Sequence, residues 1–278
     1  MSGNKNKIIA FNYFGGKFTW LEHLYANFPT DFTHLVDVFA GSMCVSLNYK
    51  GNVIKTANEI NEDITNFFFV LRDHEEELTR LLLLTPCSET EYNNSWVKCE
   101  DKIELARRFY VRIRQSFFGL GAQRKNKGWH MAKSHVNASG GETVSRWNKA
   151  IEKLHDVAEV IRSEFQIMNS NYAECIDRID NPNAFFYCDP PYPLECRKSS
   201  NDYKFEFSDD QHRELAMKLH NIEGKAMISG YDCPLMQELY GDWYKVLFPV
   251  KKNNIRSGYV QEVVWCNYKP ANDTLFNI

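Results

Sequence analysis

Apolar positions along the chain recur either at helical spacing or in short unbroken runs, and the order of the two patterns predicts the elements. Leu21, Leu24, Tyr25 and Phe28 share one face of a helix predicted over residues 18–28. An apolar run over 34–39 ends in Ala40-Gly41-Ser42, then a helical stretch over 43–49 leads to a second strand over 53–57. Helix, strand, tight turn, helix, strand is the opening of a doubly wound α/β sheet. From residue 62 the pattern changes to long helical stretches over 64–84, 102–117 and 143–164. A helix-poor segment rich in Gly, Lys and Asn, residues 118–141, separates the last two. Strand-like runs return at 165–168, 184–188, 225–229, 244–250 and 262–268, with helices predicted over 209–219 and 234–240. The expectation is one α/β domain built from residues 1–61 and 166–278, interrupted by a mostly helical inserted domain, residues 62–165.

At 278 residues the chain has room for such a core and its insertion. No apolar run approaches the roughly 20 residues that cross a bilayer, and the polar, lysine-containing first residues do not read as an export signal. Membrane partners are therefore not expected, and a cytoplasmic location is. None of the eight cysteines forms a C-x-x-C pair, so neither a metal site nor a disulfide framework is expected.

The net charge of -3 conceals an uneven distribution. Between Arg107 and Lys149 stand ten Lys or Arg and one acid, Glu142, whereas Asp73 to Glu104 holds nine acids and three bases. The plain reading of the basic block is a solvated helix face. The functional one is a local phosphate-binding face.

The sharpest chemical feature is Asp189-Pro190-Pro191-Tyr192, directly after the apolar run Ala184-Phe-Phe-Tyr-Cys188. Chance would place this tetrapeptide in about one such chain per thousand. The C-terminal end of a buried parallel strand is where open α/β sheets put their active sites. Asp189 and the Pro190 carbonyl there can accept the two N–H groups of a nucleobase amine and favour positive charge developing on its nitrogen. Two prolines fix the backbone and remove donors. Tyr192 offers a flat face on which an extruded base can stack. The plain alternative is a rigid strand-to-loop turn.

With these residues the chain resembles the Dam-type, or alpha-class, family of DNA adenine methyltransferases along nearly its whole length. Phe11-Asn-Tyr-Phe-Gly-Gly-Lys17 is similar to that family's aromatic-x-Gly-Gly-Lys motif, and Asp37-Val-Phe-Ala-Gly41 to its Phe-x-Gly motif. Asn58-Glu-Ile-Asn61 resembles its acidic turn, and Asp189 to Tyr192 its catalytic motif. Residues 208–215, 227–231 and 256–262 resemble its later blocks. The resemblance implies a Rossmann-like sheet that uses S-adenosylmethionine to methylate the exocyclic amine of a flipped adenine, with Asp189, Pro190, Pro191 and Tyr192 as catalytic residues. It further implies double-stranded DNA as partner, action as a monomer, and a cognate restriction endonuclease where the gene belongs to a restriction-modification pair.

The implied cofactor residues are Tyr13, Gly15, Lys17, Asp37, Phe39, Gly41, Glu59, Asn171 and Asp189. Gly15 and Gly16 permit a tight backbone approach, and Lys17 can meet a phosphate or a carboxylate. Phe39 and Gly41 lie where the methionine moiety of the cofactor passes. Glu59, at the end of the second strand, can take both ribose hydroxyls, as the acid does in dinucleotide folds. Asn171 stands where the family usually has an acid that reads the cofactor's adenine, and Met43 where it tends to have a second glycine.

In the insertion, Phe117-Phe118 with Gly119 and Gly121, then Arg124-Lys125-Asn126-Lys127, read as a hairpin tip that enters a groove. Arg124 suits a bidentate guanine contact, while Lys125 and Lys127 suit phosphates. An ordinary solvated loop is the plain alternative. Two functional alternatives stand beside adenine methylation. One is methylation of a cytosine amine, whose enzymes more often carry Ser at the position of Asp189. The other is a catalytically weak or inactive DNA-binding homologue, to which Met43 and Asn171 would be suited.

Overall fold

The computed structural model describes residues 7–13, 15–116, 128–131, 142–196, 204–252 and 259–270. By their contacts they form two compact units. The first comprises Met1–Gly16, Gly41–Asn48 and Asn61–Phe165, the second Lys17–Ala40, Tyr49–Ile60 and Gln166–Ile278.

The second unit carries the sheet. Its strands are β1 (His34–Asp37), β2 (Ile54–Asn58), β3 (Phe165–Met168), β4 (Ala184–Cys188), β5 (Lys225–Gly230), β6 (Tyr244–Leu247) and β9 (Val263–Cys266), in the order β3-β2-β1-β4-β5-β9-β6. A separate ribbon pairs β7 (Lys251–Lys252) with β8 (Tyr259–Val260). Strand β1 runs parallel to both β2 and β4, and β4 is parallel to β5, whereas β9 is antiparallel to both its neighbours. Every residue of β4 is buried, as expected of a central strand covered on both faces. The chain builds outward from β1 in one direction through β2 and β3, then returns to the other side of β1 as β4. The point of reversal therefore lies between the ends of β1 and β4, where doubly wound sheets open a crevice.

One buried amide gathers three strand ends. The Nδ2 of Asn58 donates to the carbonyls of Val38 (3.1 Å) and Ser170 (3.0 Å), and its Oδ1 accepts from the Ser170 backbone N–H (3.0 Å). These bonds bring the residues after β1, β2 and β3 to one edge. Nothing in the hydrophobic pattern marks Asn58 for this task.

Helices α1 (Leu21–Tyr25), α9 (Tyr172–Ile179), α10 (Asp209–His220) and α11 (Pro234–Tyr240) belong to the same unit. The helix expected over 18–28 shrinks to α1, although Leu21, Leu24 and Phe28 are all buried. Helix α9 was not expected. Its start signal is Asn171, whose Oδ1 caps the Ala173 N–H at 2.8 Å. Helix α10 starts with a complete capping box between Ser208 and Gln211.

The first unit is helical: α2 (Cys44–Asn48), α3 (Glu62–Asp73), α4 (Glu75–Leu84), α5 (Glu89–Asn94), α6 (Lys102–Arg114), α7 (Thr143–Glu152) and α8 (Leu154–Glu164). The single helix expected over 64–84 breaks at His74, and the one over 143–164 breaks at Lys153. Glu75, Glu76 and Glu77 then fill the first turn of α4, where the helix dipole favours acids. The core is aromatic. Phe11 touches Phe67, Phe68 and Phe109, and the buried Tyr110 hydroxyl donates to the Ala10 carbonyl. These contacts explain why the first residues cluster with the helices rather than with the sheet. Among the described residues no helix is long and apolar enough to cross a membrane, and all eight cysteines are free thiols.

The acidic and basic blocks answer each other within this unit. Arg107 pairs with Glu104 (2.6 Å) and Glu91 (2.9 Å), and Arg108 with Glu104 (2.6 Å). The mostly buried Arg112 donates to the Ser95 carbonyl, faces Asp63 at 3.7 Å and lies over Trp96. Carboxylate hydrogen bonds hold the Arg107 guanidinium above its ordinary range. These three arginines therefore serve contacts within the unit, which leaves the phosphate-binding reading of the block to its other basic residues. Arg124, Lys125 and Lys127 lie outside the described residues, as do Phe117 and Phe118.

Candidate active site

Strand β4 delivers Asp189 to the edge at the point of reversal, directly beside the end of β1. Val38 donates its backbone N–H to Tyr187 at 3.0 Å, so the segment after β1 runs along β4 before it turns. The Asp189 side chain is 17% exposed, and both of its oxygens accept from the Lys17 ammonium at 2.8 Å. Lys17 is itself nearly inaccessible and stands 3.3 Å from Glu262. Its Nζ also lies 5.0 Å from the centroid of the Tyr192 ring, within cation–π range. The Tyr192 hydroxyl donates to Glu262, and the edge of Tyr231 meets its ring at 4.8 Å.

One ammonium thus serves two carboxylates. Burial pushes the Asp189 carboxyl above its ordinary range, and the Lys17 charge pulls it back down. Glu262 follows the same rule, with the neighbouring Asp189 charge adding to the rise. Burial and both carboxylates push the Tyr192 phenol well above its usual value, so it is a neutral donor. Lys17 had two sequence readings, phosphate or carboxylate, and the structure gives it a carboxylate. Glu262 had no assigned role. In the sequence it is only the last residue of the block 256–262, and a lone acid beside a final strand carries no signal of a partner 70 residues away.

A histidine holds the loop backbone at the second proline. The Pro191 carbonyl accepts from His212 Nε2 at 3.1 Å, and His212 is fully buried on the first turns of α10. Phe39 lies against Tyr172 in a stacked pair at 5.7 Å and meets Phe207 edge-on at the same distance. Asp37 is buried at the end of β1. Glu59 follows β2, partly exposed, with its backbone N–H on the Met168 carbonyl. Asn171 spends one lone pair of its amide oxygen on the α9 cap, which leaves the second and the NH2 group for a ligand.

In the first unit, Tyr13 and Gly16 close a turn, Gly16 N–H to Tyr13 carbonyl at 3.0 Å, with Gly15 at φ 78°. Gly41 has φ 50°, and a Cβ there would lie 3.1 Å from Cδ1 of Tyr13. Met43 has φ 57° and is buried. The position where the resembling family tends to have glycine thus keeps a glycine-like backbone, although methionine occupies it. Gly41→Ala is expected to cost about 1–2 kcal/mol through left-handed backbone strain alone, with the shifted Tyr13 ring adding to it. A thermal melt several degrees below wild type is the expected result, and an unchanged melt would contradict the strain.

Asp37, Phe39, Glu59, Asn171 and Asp189 occupy successive strand ends along one edge. Acids, an amide and an aromatic ring suit the hydroxyls, amines and flat base of an adenosine-bearing cofactor such as S-adenosylmethionine.

No curated protein matches the chain. Solved structures that it resembles include a candidate rRNA methylase from Clostridium thermocellum, 7% identical, covering 91% of this chain and 95% of the other with a TM-score of 0.39. Another is a conserved hypothetical protein from Streptococcus pyogenes, 10% identical, covering 84% and 86% of the two chains with a TM-score of 0.32. Neither is close enough to weigh on fold or substrate. The model of the D12 class N6 adenine-specific DNA methyltransferases matches residues 13–255. Because that match takes in most of the sequence, the chain belongs to the D12 class of N6 adenine-specific DNA methyltransferases.

Proposed function

We propose that this methyltransferase acts on an adenine turned out of duplex DNA, and that Asp189, Pro190, Pro191 and Tyr192 handle the base. Membership of the family makes the enzyme a transferase acting on DNA adenine, and it implies S-adenosylmethionine as methyl donor. The observation that carries the residue assignment is Asp189 at the strand reversal, its carboxylate held by a buried ammonium.

S-Adenosylmethionine, when bound, supplies an electrophilic methyl group on a sulfonium. The protein's part is to make a weak nucleophile competent. The lone pair of the adenine amino nitrogen is delocalised into the ring, and the two N–H bonds must polarise as positive charge develops. A carboxylate has roughly four lone-pair sites, so Asp189 can accept from the base while still bonded to Lys17. The Pro190 carbonyl takes the second N–H. The Lys17 charge opposes the upward push of burial on the Asp189 carboxyl and so favours the negative charge that stabilises the transition state. Glu262 holds the Tyr192 hydroxyl and so sets the plane of the ring on which the base stacks. His212 fixes the Pro191 carbonyl and with it the backbone of the loop.

In this reading Asp37, Phe39, Glu59 and Asn171, with Tyr13, Gly15, Lys17 and Gly41, hold the cofactor. Residues 1–61 and 166–278 provide catalysis. Residues 62–165 read the DNA, with Arg124, Lys125 and Lys127 as its contacts. The enzyme works as a cytoplasmic monomer, with a cognate endonuclease where the gene is half of a restriction-modification pair. Expression in a methylation-free bacterial host followed by single-molecule sequencing tests the reaction and the duplex substrate together. N6-methyladenine within one recurring flanking sequence is expected. Unmodified host DNA, or methylcytosine in place of methyladenine, would refute it.

A further inference from the structure

Three side chains with no part in the proposed chemistry converge next to it. Glu195 and Cys196 lie in the 3-10 turn Leu194–Cys196, just after Tyr192, and Cys233 directly precedes α11. Each offers one ligand atom, and those atoms lie within 4.8 Å of one another. The Cys233 side chain is buried and that of Cys196 is partly exposed, so the cluster opens toward solvent on one side. Glu195 is already oriented, because its Oε1 accepts the Leu235 backbone N–H at 3.0 Å. That contact leaves Oε2 for another partner and acts like the outer hydrogen bonds that aim metal ligands.

We propose that Glu195, Cys196 and Cys233 form a binding site for a thiophilic divalent cation of the zinc class. Two sulfurs and one carboxylate oxygen exclude magnesium and calcium, which demand oxygen donors, and suit a tetrahedral ion whose fourth position is left to water. Around zinc, bonds of about 2.3 Å to sulfur and about 2.0–2.2 Å to oxygen place ligand atoms about 3.5–3.8 Å apart. The present spread therefore needs to contract by only about 1 Å. Sequence spacing hid the site, since the two cysteines are far apart in the chain and share no C-x-x-C motif. Burial pushes three other thiols up, Cys87 to about 11, Cys175 to about 12 and Cys188 well above its ordinary value, which disfavours the thiolate a metal needs. The ion ties the segment after Tyr192 to the turn that carries Tyr231, whose ring edge already meets Tyr192. It thereby braces the base-stacking ring without touching the reacting atoms.

The test uses the full chain, reduced and metal-free, titrated with Co2+ and then with Zn2+. The visible absorption of tetrahedral cobalt, together with sulfur-to-cobalt charge transfer, is expected to saturate at one equivalent and to vanish on adding zinc. Cys196→Ser and Cys233→Ser should each weaken binding by more than the about tenfold that loss of an outer-sphere partner costs. Glu195→Gln, on an exposed turn, keeps the fold and should weaken binding while leaving the charge-transfer band in place at saturation. No tetrahedral spectrum at millimolar cobalt would overturn the proposal, as would an unchanged one-equivalent titration in the Cys196→Ser/Cys233→Ser double variant. Neither readout depends on methyl transfer, so failure here leaves the assignment of Asp189 untouched.

Discussion

Asp189→Ala is expected to slow methyl transfer by about 10²–10³-fold or more, the usual cost of losing a charged group aimed at the developing charge. The substitution removes the acceptor of one amine N–H and the negative charge beside the nitrogen. It also leaves the Lys17 ammonium in place, now facing a cationic transition state. Affinity for S-adenosylmethionine should change far less, since Asp37, Phe39, Glu59 and Asn171 lie on other strand ends. Single-turnover methylation of a duplex oligonucleotide pool, with calorimetry of the cofactor alone, separates the two effects. Asp189→Asn refines the result. It keeps an oxygen acceptor of the same shape, so its residual rate should lie between those of Ala and wild type. Near-wild-type turnover in Asp189→Ala would remove the residue from the chemistry.

The second large effect concerns stability. Lys17→Met should destabilise the protein by about 3–5 kcal/mol near neutral pH, because removing one member of a buried ionic cluster strands the others. Asp189 and Glu262 would then face each other with no cation between them. Both carboxyls already stand above their ordinary values, and Lys17 is what holds them down. Their pKa values must therefore rise further in the variant. For an acid whose folded pKa exceeds the unfolded one, the native state binds more protons between the two values. Stability accordingly falls as pH rises through that window and recovers as pH drops. The variant's deficit should be greatest near neutrality and shrink as pH approaches the ordinary carboxylate value of about 4. Thermal melts of both proteins at a series of pH values measure this. A deficit independent of pH would show that Lys17 matters for packing alone.

The sheet was legible because its strands are short apolar runs bounded by turn residues, and all seven match the pattern to within a few residues. Element boundaries were less legible. The continuous helical patterns over 64–84 and 143–164 are each two helices, because periodicity does not register a local break at His74 or Lys153. Helix α9 is signalled by its N-cap, Asn171, a residue whose role by family resemblance lies with the cofactor instead. The charge blocks are a different case. Charge counted along a sequence is blind to partners: Arg107 and Arg108 pair with Glu104 on their own helix, Arg107 also with Glu91, and Arg112 faces Asp63 from outside the acidic block.

What the linear order of residues determines here is the α/β pattern, the helical interruption after residue 61, and a strand that ends in Asp189-Pro-Pro-Tyr192. These are local: each rests on side chains within a few positions of one another, whose spacing is written in the chain. Only the folded molecule decides that Lys17 neutralises Asp189 from 172 residues away, that Glu262 takes the Tyr192 hydroxyl, and that Asn58 joins three strand ends. Those pairings depend on which strands lie side by side, and on burial deep enough to make one ammonium worth more than its charge in water.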